Sequence, residues 1–259
     1  MTFYSDLFSL ESKNAVIIGA GGHLCSEIAK GFHRAGANLV IVDIRAQKAV
    51  AVAQELTFSK NSRVLHYEAD ASNKDSLSNL LEYTINQLGH VDILINGAGI
   101  NSSKPFLEID IPEWNDVFNS QILATMLGCQ VFGRHMVNNQ SGSIINFSSA
   151  SADPGLSRAF AYSASKAGIR NLTQNLGREW GPKGVRVNAL RPGFFPTEWN
   201  RKNFIDADRE RSILSHTPMG RFGEPTELVG AAIFLASSAS SFVTGSELIV
   251  DGGFSAMTV

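Results

Sequence analysis

Tyr162 and Lys166 stand four residues apart, and Ser149 precedes the tyrosine by thirteen. On a helix the first two share one face and can act together. A phenol ionises near pH ~10 and is a poor base at neutral pH; an ammonium held close favours the phenolate and lowers that value. Bringing it to ~7 takes roughly 4 kcal/mol of differential stabilisation, which one close cation and a positively charged ring can supply together. A serine hydroxyl beside the tyrosine can hold the same substrate oxygen. The trio would then move a proton to or from a carbinol or carbonyl. The same spacing also suits a helix whose Tyr and Lys merely share a surface, so the elements around them decide.

Those elements alternate. Short, continuously apolar runs predict strands over 14–18, 39–42, 64–69, 91–95, 143–147, 184–190 and 247–250. Apolar stripes of helical period predict helices over 22–35, 46–58, 74–88, 113–137, 161–180 and 224–235, and a charged, interrupted helical patch over 197–215. Strands that are apolar throughout and alternate with helices belong to a parallel sheet covered on both faces. The fold class expected is α/β: a single doubly wound, Rossmann-like sheet of about seven strands. No linker or low-complexity stretch divides residues 1–259, which read as one domain with a substrate lid at about 194–219.

Composition narrows the function. A chain of 259 residues with 44% apolar content can bury a sizeable core, and a net charge of −2 gives no basic surface for nucleic acid or membrane. No apolar run is long enough to cross a bilayer, and no signal-peptide pattern opens the sequence. Two cysteines, Cys25 and Cys129, have no metal-type spacing and suit a reducing cytoplasm.

The first strand ends in Gly19-Ala20-Gly21-Gly22-His23-Leu24 and a helix follows. A glycine-rich turn at a helix N-terminus cradles a pyrophosphate, although many α/β turns carry glycines and this one is not Gly-x-Gly-x-x-Gly. Asp43 closes the second strand 24 residues after Gly19. A carboxylate there bonds adenosine ribose hydroxyls and repels a 2′-phosphate, which favours NAD over NADP; Arg45, which can accept that phosphate, argues the other way. Asp43 can also cap a helix. Asp70, followed by Ala71 after the third strand, reads either as an adenine contact or as a cap. Asn96-Gly97-Ala98-Gly99 leaves room for a flat ligand at the strand ends, or else meets a turn's need for glycine.

Taken in order, these segments resemble the short-chain dehydrogenase/reductase family over essentially the whole chain. The resemblance rests on the turn at Gly19, on Asp43, Asp70, Asn96 to Gly99, Ser149, Tyr162-Ser-Ala-Ser-Lys166 and Asn188-Ala-Leu-Arg-Pro192-Gly193, and on the ending Val243 to Gly253. It implies that Tyr162 is the general acid/base, that Lys166 lowers its pKa and bonds the nicotinamide ribose, and that Ser149 holds the substrate oxygen. The segment Pro192, Gly193, Phe195 and Thr197 would close over the nicotinamide. It further implies a homotetramer or homodimer, with Phe254 and Met257 either in a subunit contact or docked on their own subunit. The chain departs from the family pattern in places. Ile18, His23 and Cys25 replace the Thr and two Gly of the turn, and Gly97 replaces an Asn. Gln121 replaces the helical Asn of the proton relay. His23 reads either as a phosphate contact or as packed against the sheet.

Within the family, the segments Phe194 to Arg201, His216 to Pro225 and Asp251 to Ala256 look most like sugar-acid dehydrogenases of the D-mannonate oxidoreductase kind, and gluconate 5-dehydrogenases are similar. Arg201 and Lys202 read either as holding a carboxylate, with Asn101, Ser102, Glu198, Asn200 and His216 bonding hydroxyls, or as part of a solvated charged helix such as Asp206 to Arg211. The charged lid argues against a 3-oxoacyl reductase. A polyol dehydrogenase, and a catalytically weak dinucleotide sensor or scaffold, stay open.

Overall fold

The computed structural model describes residues 3–56, 62–153, 155–197 and 205–257. Seven parallel strands form one sheet in the order β3-β2-β1-β4-β5-β6-β7. They are β1 Asn14–Ile18, β2 Asn38–Asp43, β3 Val64–Glu68, β4 Ile93–Asn96, β5 Gly142–Phe147, β6 Val185–Pro192 and β7 Glu247–Val250. β1 pairs with both β2 and β4, Val16 standing level with Val40 and Leu94. The strand order therefore reverses between β1 and β4, the place where an open α/β sheet leaves a crevice at its carboxyl ends.

Alternate side chains of each strand feed two cores. Ala15, Ile17, Leu39, Ile41, Ile95 and Ile145 pack on one face with Ile28 and Phe32 of α2 (His23–Arg34). Helix α3 (Ala46–Leu56) joins that face, as does Leu235 of the last helix. Val16, Ile18, Val40, Leu94, Ile144 and Val187 pack on the other face with Leu77 and Leu80 of α4 (Lys74–Leu88). No helix among the described residues is long and apolar enough to cross a membrane. A short α1 (Phe3–Phe8) precedes the sheet.

Three helices differ from expectation, each for a local reason. The span 113–137 divides into α5 (Ile111–Phe118), a π turn (Asn119–Leu123) and α6 (Ala124–Asn138). Asp110 caps α5 early by accepting from Glu113 N, and the widened turn carries Gln121. Among the described residues of the span 197–215, helix occurs at α8 (Ala207–Ser215), which follows α7 (Phe160–Trp180) and begins where Asp206 accepts from Arg209 N at 2.8 Å. The span 224–235 opens with a 3-10 turn at Pro225–Leu228, held by a Glu224–Glu227 capping box, and continues as α9 (Val229–Ala236).

Candidate active site

The loops that leave β1, β4, β5 and β6 enclose a cavity of about 620 Å³ at the carboxyl ends of the strands. Among the residues singled out from sequence, Gly19, Gly22, His23, Leu24, Ala98, Gly99, Asn101 and Gln121 line it, as do Ser149, Tyr162, Lys166, Pro192, Gly193, Phe195 and Thr197. Gly21, Asp43, Asp70, Ala71 and Asn96 do not. Asn200 and Arg201 lie outside the described residues, as do Glu198 and Lys202.

The first turn is built for close approach. Gly19 has φ +81°, and a Cβ there would stand 2.7 Å from Ala98 N. Gly22 is the N-cap of α2 and offers no side-chain cap, so the first backbone N–H groups of this 12-residue helix are open toward the cavity. His23 is exposed on the rim and is not packed against the sheet. Gly21 fits against Asp43, where a Cβ would meet Oδ2 at 2.6 Å. Asp43 is buried at the end of β2; its Oδ1 accepts from Arg45 N at 3.0 Å and Arg45 Nε at 3.3 Å. The glycine cradle, the open helix end and the carboxylate beyond them fit a dinucleotide. Asp70 accepts from Ser72 N and Oγ, whereas the cap of α4 is Asn73.

Two departures from the family pattern explain each other. A Cβ at Gly97 would fall well inside van der Waals contact with Cys25 Sγ. The glycine at 97 leaves the space that the Cys25 side chain, in the first turn of α2, fills. The thiol is buried and pushed up to about 12, chiefly by desolvation, and is inert at neutral pH.

Asn96 points elsewhere than expected. Its Nδ2 donates to Asn146 Oδ1 at 2.9 Å, and Asn146 Nδ2 donates to Thr173 Oγ1 on α7 at 3.0 Å. This buried chain fixes α7, which carries Tyr162 and Lys166, against β4 and β5. Gln121 lies over Gly99, donates from Nε2 to Ile100 O at 2.8 Å, and keeps a buried Oε1 with no partner. Ser102 bonds Glu113 and His216 stacks edge-on to Phe254 at 4.9 Å, so neither serves the cavity. Phe254 is buried on its own subunit against Phe194 and His216.

The reactive trio is assembled from two elements. Ser149 follows β5 and accepts from Ser151 N at 3.2 Å and Ser151 Oγ at 3.1 Å. Two bonds accepted leave its own proton free to be given. Lys166, buried on α7, donates to Phe147 O at 2.6 Å and stands 5.3 Å from the centroid of the Tyr162 ring. Among the chain's own groups, without the positively charged ring, burial sets the electrostatics. Desolvation brings Lys166 down to about 7. The phenol of Tyr162 is raised, not lowered: burial outweighs the Ser149 hydrogen bond. A half-charged amine aimed at a carbonyl does not hold the phenolate by itself.

Sequence reasoning missed three arginines. Arg191 is 1% exposed and joins Asp153 (2.5 Å), Glu247 (3.0 Å), Ala150 O and Ser255. It thereby ties the Ser149 loop to β6 and β7, and the signal was a cation inside an apolar strand. Arg158 and Arg209 line the cavity; Arg158 sits four residues before Tyr162. Among the described residues no group of three His, Cys, Asp or Glu is placed to hold a metal.

Comparison with known proteins agrees with this geometry. Residues 19–255 match the family model described as enoyl-(acyl carrier protein) reductase. The 5-keto-D-gluconate 5-reductase of Escherichia coli K12 is 34% identical over 249 residues, covering 96% of this chain and 98% of the relative. A gluconate 5-dehydrogenase from Burkholderia cenocepacia J2315, solved with NADP and tartrate, superposes with a TM-score of 0.92 at 32% identity, over 98% of this chain and all of the other. A provisionally assigned D-mannonate oxidoreductase from Haemophilus influenza with bound NAD superposes with a TM-score of 0.92 at 35% identity, over 99% of both.

Proposed function

Because this chain belongs to the short-chain dehydrogenase/reductase family, we propose that it moves a hydride between a nicotinamide dinucleotide and the secondary alcohol or ketone of a sugar acid, of the gluconate or mannonate/fructuronate kind. The observation that carries the reading is the convergence of Ser149, Tyr162 and Lys166 with the open end of α2 on one cavity.

The cofactor supplies the ring that carries hydride. Gly19 to Leu24 would hold its pyrophosphate and Asp43 its adenosine ribose. Lys166 would take the other ribose, with Pro192 to Thr197 across the ring. In the reducing direction, the Tyr162 phenol, protonated at neutral pH as any phenol is and favoured further in that form by burial, donates its proton to the carbonyl oxygen. Ser149 gives a second hydrogen bond to that oxygen. Lys166, near 7, gives and takes protons at neutral pH and offsets the phenolate charge when protonated.

NAD is the proposed cofactor, supported by the buried Asp43 carboxylate with Arg45 folded onto it; relatives of solved structure bind NAD in one case and NADP in another. A homotetramer or homodimer is part of the proposal and is supported by apolar side chains left open, among them Leu107, Ile111, Phe242 and Ile249 on β7. A cytoplasmic setting is supported by two buried, unpaired cysteines.

The test is a screen of sugar acids, polyols and a 3-oxoacyl thioester with NAD and with NADP, read by reduced-nicotinamide absorbance. Turnover of a sugar acid with NAD is expected. A preference for the thioester would move the chain to the reductase reading. Cofactor binding with no turnover of any substrate would make it a sensor.

A further inference from the structure

We propose that Arg158 and Arg209 form the carboxylate subsite of this cavity, clamping the acid end of the substrate while its ketone or alcohol lies at Tyr162. The proposal rests on the sugar-acid reading and names the residues that select it.

Among the described residues, the lining of the cavity contains Lys166, Arg158 and Arg209 and no aspartate or glutamate. Lys166 is committed to Phe147 O deep in the site. The two arginines come from different elements, the loop before α7 and the lid helix α8. Arg209 donates from Nη1 and Nη2 to Ser157 Oγ (3.3 Å) and Ser157 O (3.1 Å), which lays the lid helix against the residue next to Arg158. Neither arginine has an acidic partner among the described residues. This sets them apart from Arg170, Arg191, Arg211 and Arg221, each of which pairs with a carboxylate.

The backbone adds an independent observation. Arg158 has φ +57°, a left-handed conformation that side-chain-bearing residues rarely take. The next residue, Ala159, is the N-cap of the 21-residue α7 and has no side chain to cap it. The positive end of that helix and a guanidinium therefore approach the same region, one turn before Tyr162. Guanidinium groups bind carboxylates through two parallel hydrogen bonds, and no carboxylate among the described lining residues opposes their charge. A six-carbon acid can carry its carboxylate several carbons from the reacting one, and the two arginines share the cavity with Tyr162.

The test compares the sugar acid turned over best in the screen with a neutral polyol of the same length. Arg158→Asn removes the charge and tolerates the left-handed backbone; Arg158→Lys keeps the charge; Arg209→Gln removes the other. Arg158→Asn and Arg209→Gln should each raise KM for the acid about tenfold or more and weaken inhibition by tartrate similarly, with the polyol KM changed less than about twofold. Arg158→Lys should recover part of the loss. Equal effects on acid and polyol, or none on either, would overturn the subsite while an acid-selective wild type kept the sugar-acid reading. A wild type indifferent to the carboxylate would overturn both.

Discussion

Lys166→Met should make the cofactor-free protein more stable at neutral pH while removing its activity. Burial takes the amine from 10.5 to about 7. The unfolded chain keeps this proton up to 10.5 and the folded chain only up to about 7, so between those values the unfolded state binds more protons and stability rises with pH. Below about 7 the full penalty is present, and above 10.5 none of it is. At 1.36 kcal/mol per pH unit, the wild type is held back by about 4 kcal/mol at pH 7 and about 2 kcal/mol at pH 9. Methionine keeps most of the volume and removes the charge, but leaves Phe147 O, now bonded at 2.6 Å, without its donor, at a cost of about 1–3 kcal/mol. The net expectation is a gain of about 1–3 kcal/mol at pH 7 that shrinks by about 2 kcal/mol at pH 9. Urea unfolding of both proteins at the two pH values, at one protomer concentration, measures it. A variant less stable than wild type at pH 7, or a difference that does not move between pH 7 and 9, would refute the account of a desolvated lysine.

Other perturbations separate chemistry from scaffold. Tyr162→Phe should lower kcat by about 10²–10⁴ while NADH titrates as in wild type; unchanged turnover would remove the phenol from proton transfer. Gly97→Asn should destabilise by about 1–3 kcal/mol through overpacking onto Cys25. Most of that should return in the Cys25→Gly, Gly97→Asn double variant, and strict additivity in denaturant midpoints would show that the two positions are independent. Arg191→Met, which removes a buried guanidinium and strips the close partner from partly buried Glu247, should cost about 3 kcal/mol, whereas Arg170→Met at a 38%-exposed side chain should cost under about 1 kcal/mol. Equal losses would place the weight of the network elsewhere.

The middle of the sheet was legible because strands such as β1, β4 and β5 are buried on both faces and so read as apolar runs, as in Val16 to Ile18 or Ile144 and Ile145. Ser149, Tyr162 and Lys166 were legible because the helix period alone puts two of them together. Properties set by three-dimensional packing were not legible. Whether Tyr162 is raised or lowered depends on how deeply it and Lys166 are desolvated and on where Nζ points, and sequence spacing is silent on both. The role of Asn96 depends on Asn146 and Thr173, 50 and 27 residues along successive links. The π turn at Gln121 inserts no sequence signal at all, since its residues are ordinary helix formers. The substrate end was read from the charged run after Thr197, which lies outside the described residues; besides Lys166, the cations that line the cavity among the described residues come from the loop before α7 and from α8.

The unusual first turn bears on whether the chain catalyses or only binds. The cysteine at 25, in the first turn of α2, is matched in space by the glycine at 97 after β4. Gly19 keeps both its positive φ and its contact with Ala98, and Gly21 keeps the close fit to Asp43 that places a carboxylate beyond the helix end. The His23 side chain stands outward on the rim, where it displaces nothing. The buried Asn96–Asn146–Thr173 chain and the Arg191 network then hold α7 and the Ser149 loop, the two pieces that carry the proton-transfer groups, against the same strands. Buried polar networks of this kind cost free energy unless every geometry is met. A protein that only sensed a dinucleotide would need the first turn but would have no use for a braced Ser149 loop facing Tyr162, so the bracing argues for turnover.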